Sequence, residues 1–391
     1  MRKPTRYLAA LFGLTALASL AAVPLASVTP GSIAAATTLR AVPAVVGYNG
    51  TPAMYQKALK ANASGLFSCQ APESASNPVP CYGPSQIRNA YLVPKNLTGA
   101  GETIAIIDAF GDPYIASDLA LFDSTFGLPP AHLNEICIAP GTVPPSTPTT
   151  GACPTFNQSN ADEVDWAGEI ALDTQWSHAI APGATIDLVI AHSDQDPDIL
   201  AAQQYVIDNN LGEVLSQSFG ENELCVQSED SGEIFNATVA AFQQAEAEDM
   251  SVFASAGDQG AATINCSGTA YVLGVNMPAS DPLVTSVGGT HLNANYVTGA
   301  YYSETVWNDS GLTPDFGAGG GGFSSIFAKP SYQDNARTGS AFRGVPDVSF
   351  NADVYDGVLG ACTACNDGTP AFFIFGGTSE GSPVWLSLIH I

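Results

Sequence analysis

Short β-rich runs alternate with helix-like stretches through the middle of the chain, and this order limits the possible fold most. The predicted strands are 103–108, 185–191, 214–218, 251–255 and 283–287. The predicted helices are 117–126, 162–180, 197–209 and 233–250. Strands that alternate with helices predict βαβ units around a buried parallel sheet, with ligands bound at the carboxyl ends of the strands.

The amino-terminal residues have the order of a secretory signal. Three basic residues precede an apolar run at 7–26, which is followed by small residues that include the alanines at 34–36. This order predicts a signal peptide at 1–36, a secreted protein, and no membrane association after cleavage. A lipid-spanning helix is the alternative, but Pro24 and Pro30 shorten the run. Residues 37–81 are rich in Ala, Pro and Ser and are predicted to be a linker or the remnant of a propeptide.

The eight cysteines are an even number in a chain predicted to be exported, which favours disulfides over free thiols. Pairing of sequence neighbours is our expectation, although spacing alone does not decide among about 105 pairings. The expected pairs are Cys69 with Cys81, Cys137 with Cys153, Cys225 with Cys266, and Cys362 with Cys365. A metal or redox site at the last pair is the alternative, but no second C-x-x-C accompanies it.

Acidic side chains greatly outnumber basic ones, with 37 Asp plus Glu against 11 Lys plus Arg. No basic residue occurs between Lys95 and Lys329, so that stretch has no patch for nucleic acid or anionic lipid. Near pH 4 many of its carboxyls would hold a proton, because free Asp and Glu titrate near about 3.9 and 4.3. We therefore expect the protein to work in acid. An acidic surface that serves solubility is the alternative.

Two local patterns favour ordinary structure over a ligand site. The glycine-rich run at 317–322 fits G-x-G-x-x-G, but no strand precedes it and no helix follows, so it predicts a flexible turn. Asp194, Asp196 and Asp198 alternate as in a calcium loop. The glycine and the final glutamate of such a loop are missing, which favours the solvated start of a helix.

Ser379 follows an apolar run at 371–375 and two glycines. A strand, a tight turn and a helix start would place its hydroxyl where free backbone N–H groups can hold an oxyanion. The letters around it also spell the G-x-S-x-G elbow of an α/β-hydrolase esterase, whose Asp and His follow the serine in sequence. A serine at a helix start is often only a cap, so the nature of the proton acceptor decides between these interpretations.

A carboxylate fits the role of proton acceptor better than a histidine does. None of the five histidines has the sequence context of a subtilisin-type triad. Keeping a histidine neutral at pH 4 costs roughly 3.4 kcal/mol. Glu169 and Asp173 are four positions apart on a predicted helix, where adjacent carboxyls share a proton, although a solvated acidic face is the alternative. Asp258 ends a predicted strand and, when protonated, could donate to an oxyanion; an Asx turn is its alternative.

Over nearly all of residues 82–385 the chain resembles the sedolisins, the serine-carboxyl peptidases with a subtilisin-like fold. The matching motifs occur in family order. They are 168–173, HAIAPGA at 178–184, SQSFG at 216–220, SAGD at 255–258, SVGGT at 286–290, WND at 307–309, GGFSS at 321–325, PDVS at 346–349 and GTS at 377–379.

The resemblance implies an α/β, subtilisin-like three-layer fold with a central, mostly parallel β-sheet flanked by helices. In this peptidase domain at 82–385, Ser379 would be the nucleophile, Glu169 its general base, Asp173 the partner of Glu169, and Asp258 the oxyanion donor. The strand formed by Ser216, Gln217, Ser218, Phe219 and Gly220 would line the substrate cleft and pair with the peptide backbone.

The implied function is that of a secreted, monomeric, acid-active endopeptidase acting on proteins or peptides. A tripeptidyl-type exopeptidase and an inactive peptide-binding homologue are the alternatives within the family. A glycosidase fits less well, because its two carboxyls normally come from separate elements.

Several features depart from the family pattern. Glu380 stands where a small residue is more usual and adds a charge beside the Ser379 turn. The segment before the domain is shorter than a full inhibitory propeptide. The family's calcium site would lie beyond the last residue, so we assign no metal ligand here and expect calcium only in the complete protein. Residues 386–391 match the translation of a sequencing adapter, and we expect the chain as written to fold poorly or to be inactive.

Overall fold

The computed structural model describes residues 42–43, 46–47, 66–70, 79–309 and 317–389. All of them fall within 37–391, one of two units into which the chain divides. The predicted signal peptide, most of the predicted linker and the last two residues lie outside the described residues. In the described ranges, no helix combines the length and hydrophobicity needed to cross a bilayer.

The helices and strands are numbered in chain order. The described α-helices are α1 (Pro84–Ala90), α2 (Ile115–Phe126), α3 (Ala161–Ile180), α4 (Asp196–Asp208), α5 (Glu223–Ser228), α6 (Glu233–Ala247) and α7 (Gly381–Ile389). Short 3-10 turns occur at Ser68–Gln70, Glu229–Gly232, Ser331–Gln333, Val354–Asp356 and Ala364–Asn366. The described strands are β1 (Val42–Pro43), β2 (Val46–Gly47), β3 (Cys81–Tyr82), β4 (Thr103–Ala109), β5 (His132–Cys137), β6 (Thr185–Ala191), β7 (Val214–Gln217), β8 (Phe219–Asn222), β9 (Ser251–Ser255), β10 (Ala262–Ile264), β11 (Tyr271–Leu273), β12 (Asn276–Met277), β13 (Val284–Ala294), β14 (Tyr301–Val306), β15 (Gly322–Ala328), β16 (Phe342–Val345), β17 (Val348–Asn351), β18 (Gly357–Ala361) and β19 (Phe372–Gly376).

Eight strands form the central sheet, in the order β14-β13-β9-β7-β4-β6-β5, with β17 also paired to β13. All of these pairs are parallel except β13 with β14. The predicted strands and helices all appear, mostly with ends displaced by a few residues. The largest difference is β13, which is longer than predicted because its second half pairs with β14.

Helices cover both faces of the central sheet. Successive side chains of a strand point to opposite faces, and β4 follows this rule. Ile104 and Ile106 belong to a core cluster with Ile170 of α3, whereas Ala105 and Ile107 belong to the cluster that contains α4 and α6 residues. A strand buried on both faces must be apolar throughout, which explains the continuous apolar run of β4. The expected three-layer α/β architecture is confirmed.

Helix α3 lies between the central sheet and a second sheet of four strands, β2-β19-β18-β3. Gln175 Nε2 donates to the Ala361 carbonyl at 2.7 Å, and the Ala361 amide donates back to Gln175 Oε1 at 2.8 Å. Trp176 Nε1 donates to the Leu359 carbonyl at 3.1 Å. Every residue of α3 from 166 to 180 is buried. The carboxyls on this part of the helix are therefore held away from solvent.

The four expected disulfides are all present: Cys69–Cys81, Cys137–Cys153, Cys225–Cys266 and Cys362–Cys365. The last pair is therefore neither a metal ligand pair nor a free dithiol. Near the end of the chain, Leu386 is buried in the core and Ser387 Oγ donates to the Pro383 carbonyl at 2.6 Å. That 386–391 form an appended tail stays a prediction.

Candidate active site

Ser379 lies in the turn between β19 and α7, as predicted. Gly377 opens this turn with φ of 100°, a conformation that favours glycine, and its amide donates to the Ala352 carbonyl at 2.7 Å. Ser379 is fully buried, and its Oγ donates to the Ser218 carbonyl at 3.3 Å. Strand β19 belongs to the second sheet, so Ser379 does not top the central sheet as the serine of an α/β-hydrolase does. The esterase interpretation therefore does not fit.

Glu169 and Asp173 lie together on α3, beside Ser379. Both are fully buried, so the solvated acidic face considered as an alternative is wrong. Ser218 Oγ donates to Asp173 Oδ1 at 3.0 Å, and this serine also contacts Ser379. The Ser379 hydroxyl donates to the Ser218 carbonyl, and neither Glu169 oxygen has a hydrogen bond of ordinary geometry.

Burial controls the protonation of these two carboxyls. It raises the pKa of Glu169 well above its ordinary value, and the charges of Asp173 and Asp108 raise it further, while contact with the Ser379 hydroxyl lowers it. Burial also raises the pKa of Asp173 to about 8, against hydrogen bonds with Ser218 and Glu169 that lower it. In acid the group therefore holds protons, and its members are close enough to share them.

Asp108, near the end of β4, is a further member of this group that the sequence patterns do not single out. It is fully buried, and neither of its carboxyl oxygens has a hydrogen-bond partner. Burial, followed by the charge of Asp173, raises its pKa well above the ordinary value. The available signal was an acid at the end of the apolar run TIAIID, at the sheet edge where ligands bind.

Asp258 lies on the other side of the Ser379 turn. Its Oδ1 accepts hydrogen bonds from the Thr378 amide at 2.8 Å and from Thr378 Oγ1 at 2.9 Å. Its Oδ2 is buried and has no partner. Burial raises the pKa of Asp258 to about 7, while the two Thr378 bonds lower it. The side chain is thus anchored to the Ser379 turn rather than to an Asx turn, and in acid it carries a proton.

The glycine-rich run at 317–322 holds the Asp258 loop in place, so the prediction of a flexible turn needs correction. The Ala318 amide donates to the Asp258 carbonyl at 2.9 Å, and the Gly320 amide donates to the Gly257 carbonyl at 2.7 Å. A Cβ at Gly320 would lie 2.3 Å from the Ala256 carbonyl oxygen. Glycine is required here because the two backbones approach so closely.

The predicted substrate strand is divided between two sheets. Ser216 and Gln217 belong to β7, and both edges of β7 are occupied by β4 and β9. Their backbone therefore cannot pair with a peptide, which corrects that part of the prediction. Phe219 and Gly220 belong to β8, where they pair antiparallel with β1. Ser218, between the two strands, contacts Asp173 and Ser379.

The best-placed histidines are engaged elsewhere. His178 Nε2 lies 2.8 Å from the Pro129 carbonyl oxygen and 3.2 Å from Asp123, and His291 contacts Asp353 and Asp356. Within the described ranges, no hydrogen bond joins a histidine to Ser379. The ionisable groups beside this serine are therefore carboxyls.

Glu380 does not add a charge to the surface of the turn. Its side chain is fully buried, and Asn351 Nδ2 donates to its Oε2 at 3.3 Å. Burial raises its pKa well above the ordinary value, despite the Asn351 bond. In acid this residue is therefore neutral, and the expected disturbance by charge does not arise.

The acidic positions around the start of α4 also differ from expectation. Asp194, Asp196 and Asp198 are at most 8% exposed, so they begin a helix but are not solvated. Asp198 Oδ1 accepts from the Gly141 amide at 2.6 Å, and Ser193 Oγ donates to its Oδ2 at 2.5 Å. The helix N-terminus thus faces a neighbouring loop rather than water.

A calcium site is not formed by the described residues. Among them, only His291, Asp353 and Asp356 bring three potential ligand atoms within 4.8 Å of one another. One imidazole and two carboxyls, already in contact with each other, do not match the six to eight oxygen ligands that calcium typically takes. No step of the chemistry below depends on a metal.

Comparison with known proteins finds relatives that are similar over most of this chain, although no family model matches it. Kumamolisin from Bacillus sp. (strain MN-32) is 31% identical over 341 residues, which cover 85% of this chain and 55% of that protein. Sedolisin from Pseudomonas sp. (strain 101) is 30% identical over 319 residues, which cover 78% of this chain and 49% of that protein. The chain thus spans about half the length of the curated relatives it matches.

A solved structure has the same fold. Pseudomonas sedolisin, a serine-carboxyl proteinase complexed with two molecules of pseudo-iodotyrostatin, superposes with a TM-score of 0.66. The match has 29% sequence identity and covers 80% of each chain. It confirms the predicted subtilisin-like α/β fold.

Proposed function

The chain belongs to the sedolisin family, and from that premise we propose that it hydrolyses peptide bonds in acid through an acyl-enzyme on Ser379. One observation carries the proposal. Ser379 shares a buried site with Glu169, Asp173 and Asp258, and no histidine of the described ranges is bonded to it. Carboxyls that share protons are therefore the groups placed to accept the proton of Ser379.

Glu169 takes the proton of the Ser379 hydroxyl as Ser379 Oγ attacks the scissile carbonyl carbon. Among the buried carboxyls, Glu169 is the one whose pKa is lowered by contact with Ser379, so it is the natural acceptor. Asp173, fixed by Ser218, shares the proton with Glu169. Glu169 then returns the proton to the leaving amine, and water hydrolyses the acyl-enzyme by the same route.

Asp258 stabilises the negative oxygen of the tetrahedral intermediate. Its Oδ1 is bound to Thr378. The buried Oδ2 is therefore left to carry the proton and to donate a hydrogen bond to the oxyanion. Because the pKa is raised to about 7, the carboxyl keeps this proton at pH 4. The donor is fixed before the reaction, which is the condition for effective stabilisation of a developing charge.

The substrate would bind as an extended strand along the edge of β8 that β1 occupies, in place of β1. The chain's own segment supports this course, because β1 pairs antiparallel with Phe219 and Gly220 while β2 pairs antiparallel with Phe375 and Gly376. An extended segment thus contacts strands that lead to Ser218 on one side and to Ser379 on the other. A cleft that accepts chain on both sides favours an endopeptidase over an exopeptidase.

We also propose the compartment, the substrates and the oligomeric state in which this reaction takes place. The predicted signal peptide and the four disulfides support secretion, since disulfides persist in oxidising compartments. The substrates would be proteins or peptides, and the enzyme would act as a monomer.

Replacement of the nucleophile tests the proposal. Ser379→Ala is expected to abolish cleavage of a denatured protein at pH 4 while the circular dichroism spectrum is retained. Ser124→Ala, which alters an exposed serine of α2, is the matched control and should leave the rate unchanged. Mass spectrometry of acid-quenched enzyme should detect an acyl adduct on Ser379. Unchanged cleavage by Ser379→Ala would exclude the mechanism.

A further inference from the structure

A cavity lies beside the strand along which the substrate is proposed to bind. It is lined by Phe219, Gly220 and Glu221 of β8, by Asp196 of α4 and by Met277 of β12. It is open to solvent, and its empty space, including the solvent at its mouth, is about 360 Å³. Two of these residues are part of β8 where it pairs with β1, so the cavity adjoins the path of an extended peptide.

Carboxyl oxygens without partners face this cavity. Glu221 is 4% exposed, and neither of its oxygens has a hydrogen-bond partner. Asp196 is 8% exposed, and its Oδ2 likewise has none. The adjacent Glu229, which is hydrogen-bonded to Asp196, has an unpartnered Oε2. Buried polar atoms of this kind are costly unless a ligand satisfies them.

Among the described residues, no Lys or Arg is paired with these carboxyls. The sequence contains no Lys or Arg between Lys95 and Lys329. Lys329 lies near Asp334, and Arg343 is paired with Asp347. Burial, together with the charges of Asp196, Glu229 and Asp194, raises the pKa of Glu221 to about 9. The surrounding groups therefore favour either bound protons or a positive charge brought from outside.

We propose that Glu221, Asp196 and Glu229, here called the acidic pocket, bind the guanidinium or ammonium group of an arginine or lysine of the substrate. This inference rests on the proposed function. A guanidinium offers five N–H donors and a fixed charge, which suits several unpartnered carboxyl oxygens at once. The apolar stem of the same side chain can pack against Phe219 and Met277.

A bare metal ion fits the acidic pocket less well. A divalent cation needs its ligands close together at once. The carboxyls of the acidic pocket are not among the described groups whose ligand atoms all lie within 4.8 Å of one another. A planar, extended cation can bridge carboxyls that stand further apart.

The register of β1 assigns the basic residue to the amino-terminal side of the scissile bond. Val42 lies opposite Gly220 and Pro43 lies opposite Phe219, so this segment runs from the cavity towards Ser218 and then Ser379. A peptide that follows the same direction passes the acidic pocket before it reaches the nucleophile. The contact is therefore made by a residue upstream of the cleaved bond.

Matched peptides test the inference. In a set that carries either arginine or norleucine at each upstream position in turn, the wild-type enzyme should favour arginine at one position at least about tenfold in kcat/KM, as expected for hydrogen bonds to a charged group. Glu221→Gln should remove most of that preference. Glu248→Gln, which removes an exposed carboxyl at the end of α6, should keep the wild-type ratio.

The outcomes separate this inference from the proposed function. Equal cleavage of the arginine and norleucine peptides at every position would overturn the acidic pocket and leave the peptidase intact. If no peptide is cleaved, the proposed function is in error. Binding of the arginine and norleucine peptides to the Ser379→Ala variant then tests, without catalysis, whether the acidic pocket binds a basic side chain. Tighter binding of the arginine peptide, lost in the Ser379→Ala/Glu221→Gln variant, supports it; equal binding overturns it.

Discussion

Two groups of buried carboxyls adjoin the same stretch of chain, 218–221, and they differ in their partners. In the catalytic group, hydroxyls meet the acids: Ser218 donates to Asp173, and Thr378 donates to Asp258. In the acidic pocket, neither oxygen of Glu221 has a hydrogen-bond partner, and Asp196, whose Oδ2 has none, is hydrogen-bonded to another acid, Glu229. Similar burial therefore leads to two different electrostatic situations.

This difference shows that burial of a carboxyl does not by itself reveal its role. Desolvation raises the pKa of a carboxyl in both groups, so a raised pKa does not distinguish a base from a binding residue. The partners do distinguish them. Hydroxyls beside Glu169 and Asp173 provide a route for a proton, whereas unpartnered oxygens around a cavity call for a ligand with several donors.

The largest expected effect comes from the base. Glu169→Gln should lower kcat/KM at pH 4 by about 10³-fold, within the range for loss of a positioned general base. The arginine and norleucine peptides should lose the same factor, since this residue acts on the reacting bond and not on the upstream side chain. Steady-state cleavage of both peptides by the wild type and by Glu169→Gln measures this loss of kcat/KM. A change in the arginine preference would mean that the two groups are not separate.

A smaller loss is expected at the oxyanion donor. Asp258→Ala should lower kcat by about 10²-fold, as removal of one such donor typically does. Asp258→Asn keeps N–H donors and should retain more activity than the alanine variant at pH 4. The asparagine cannot ionise, so its rate should not share the decline expected of the wild type as Asp258 loses its proton near pH 7. Identical pH profiles for wild type and Asp258→Asn would contradict the role.

Most of the fold could be predicted, because its signals are local. The alternation of β4, β6, β7 and β9 with α3, α4 and α6 follows from apolar runs and capping residues. The cysteine pairs followed sequence order. The division of 216–220 between β7 and β8 could not be predicted, because it depends on which edges neighbouring strands occupy. The length of β13 likewise depends on its partner β14.

The candidate site was predicted in its reactive residues but not in its surroundings. Ser379, Glu169, Asp173 and Asp258 stand in recognisable motifs, and the structure brings them together. Asp108 and Glu221 stand in no motif, and their importance comes from burial, which is a property of the tertiary structure. The glycine run at 317–322 was interpreted as flexible because its partner, the Asp258 loop, is distant in sequence.

The smallest expected effect concerns stability, and it tests both carboxyl groups together. A carboxyl whose pKa is raised in the folded state binds its proton more tightly there than in the unfolded chain. Its contribution is therefore full below about pH 4, where unfolded Asp and Glu titrate, and is lost as the pH rises towards the folded pKa. For Asp258, Asp173 and Glu221 the upper limits are about 7, 8 and 9. The free energy of unfolding should thus fall between pH 4 and 7.

Removal of one of these carboxyls should make that fall less steep. Each contributes at most about 1.4 kcal/mol per pH unit to the slope, so Glu221→Gln should reduce it by up to that amount, and Glu248→Gln should not change it. Urea unfolding followed by tryptophan fluorescence measures the slope, with Ser379→Ala in every variant to prevent self-digestion. If stability is level from pH 4 to 7, burial does not hold protons on these groups. If Glu221→Gln has the wild-type slope, the acidic pocket is already solvated and needs no basic side chain.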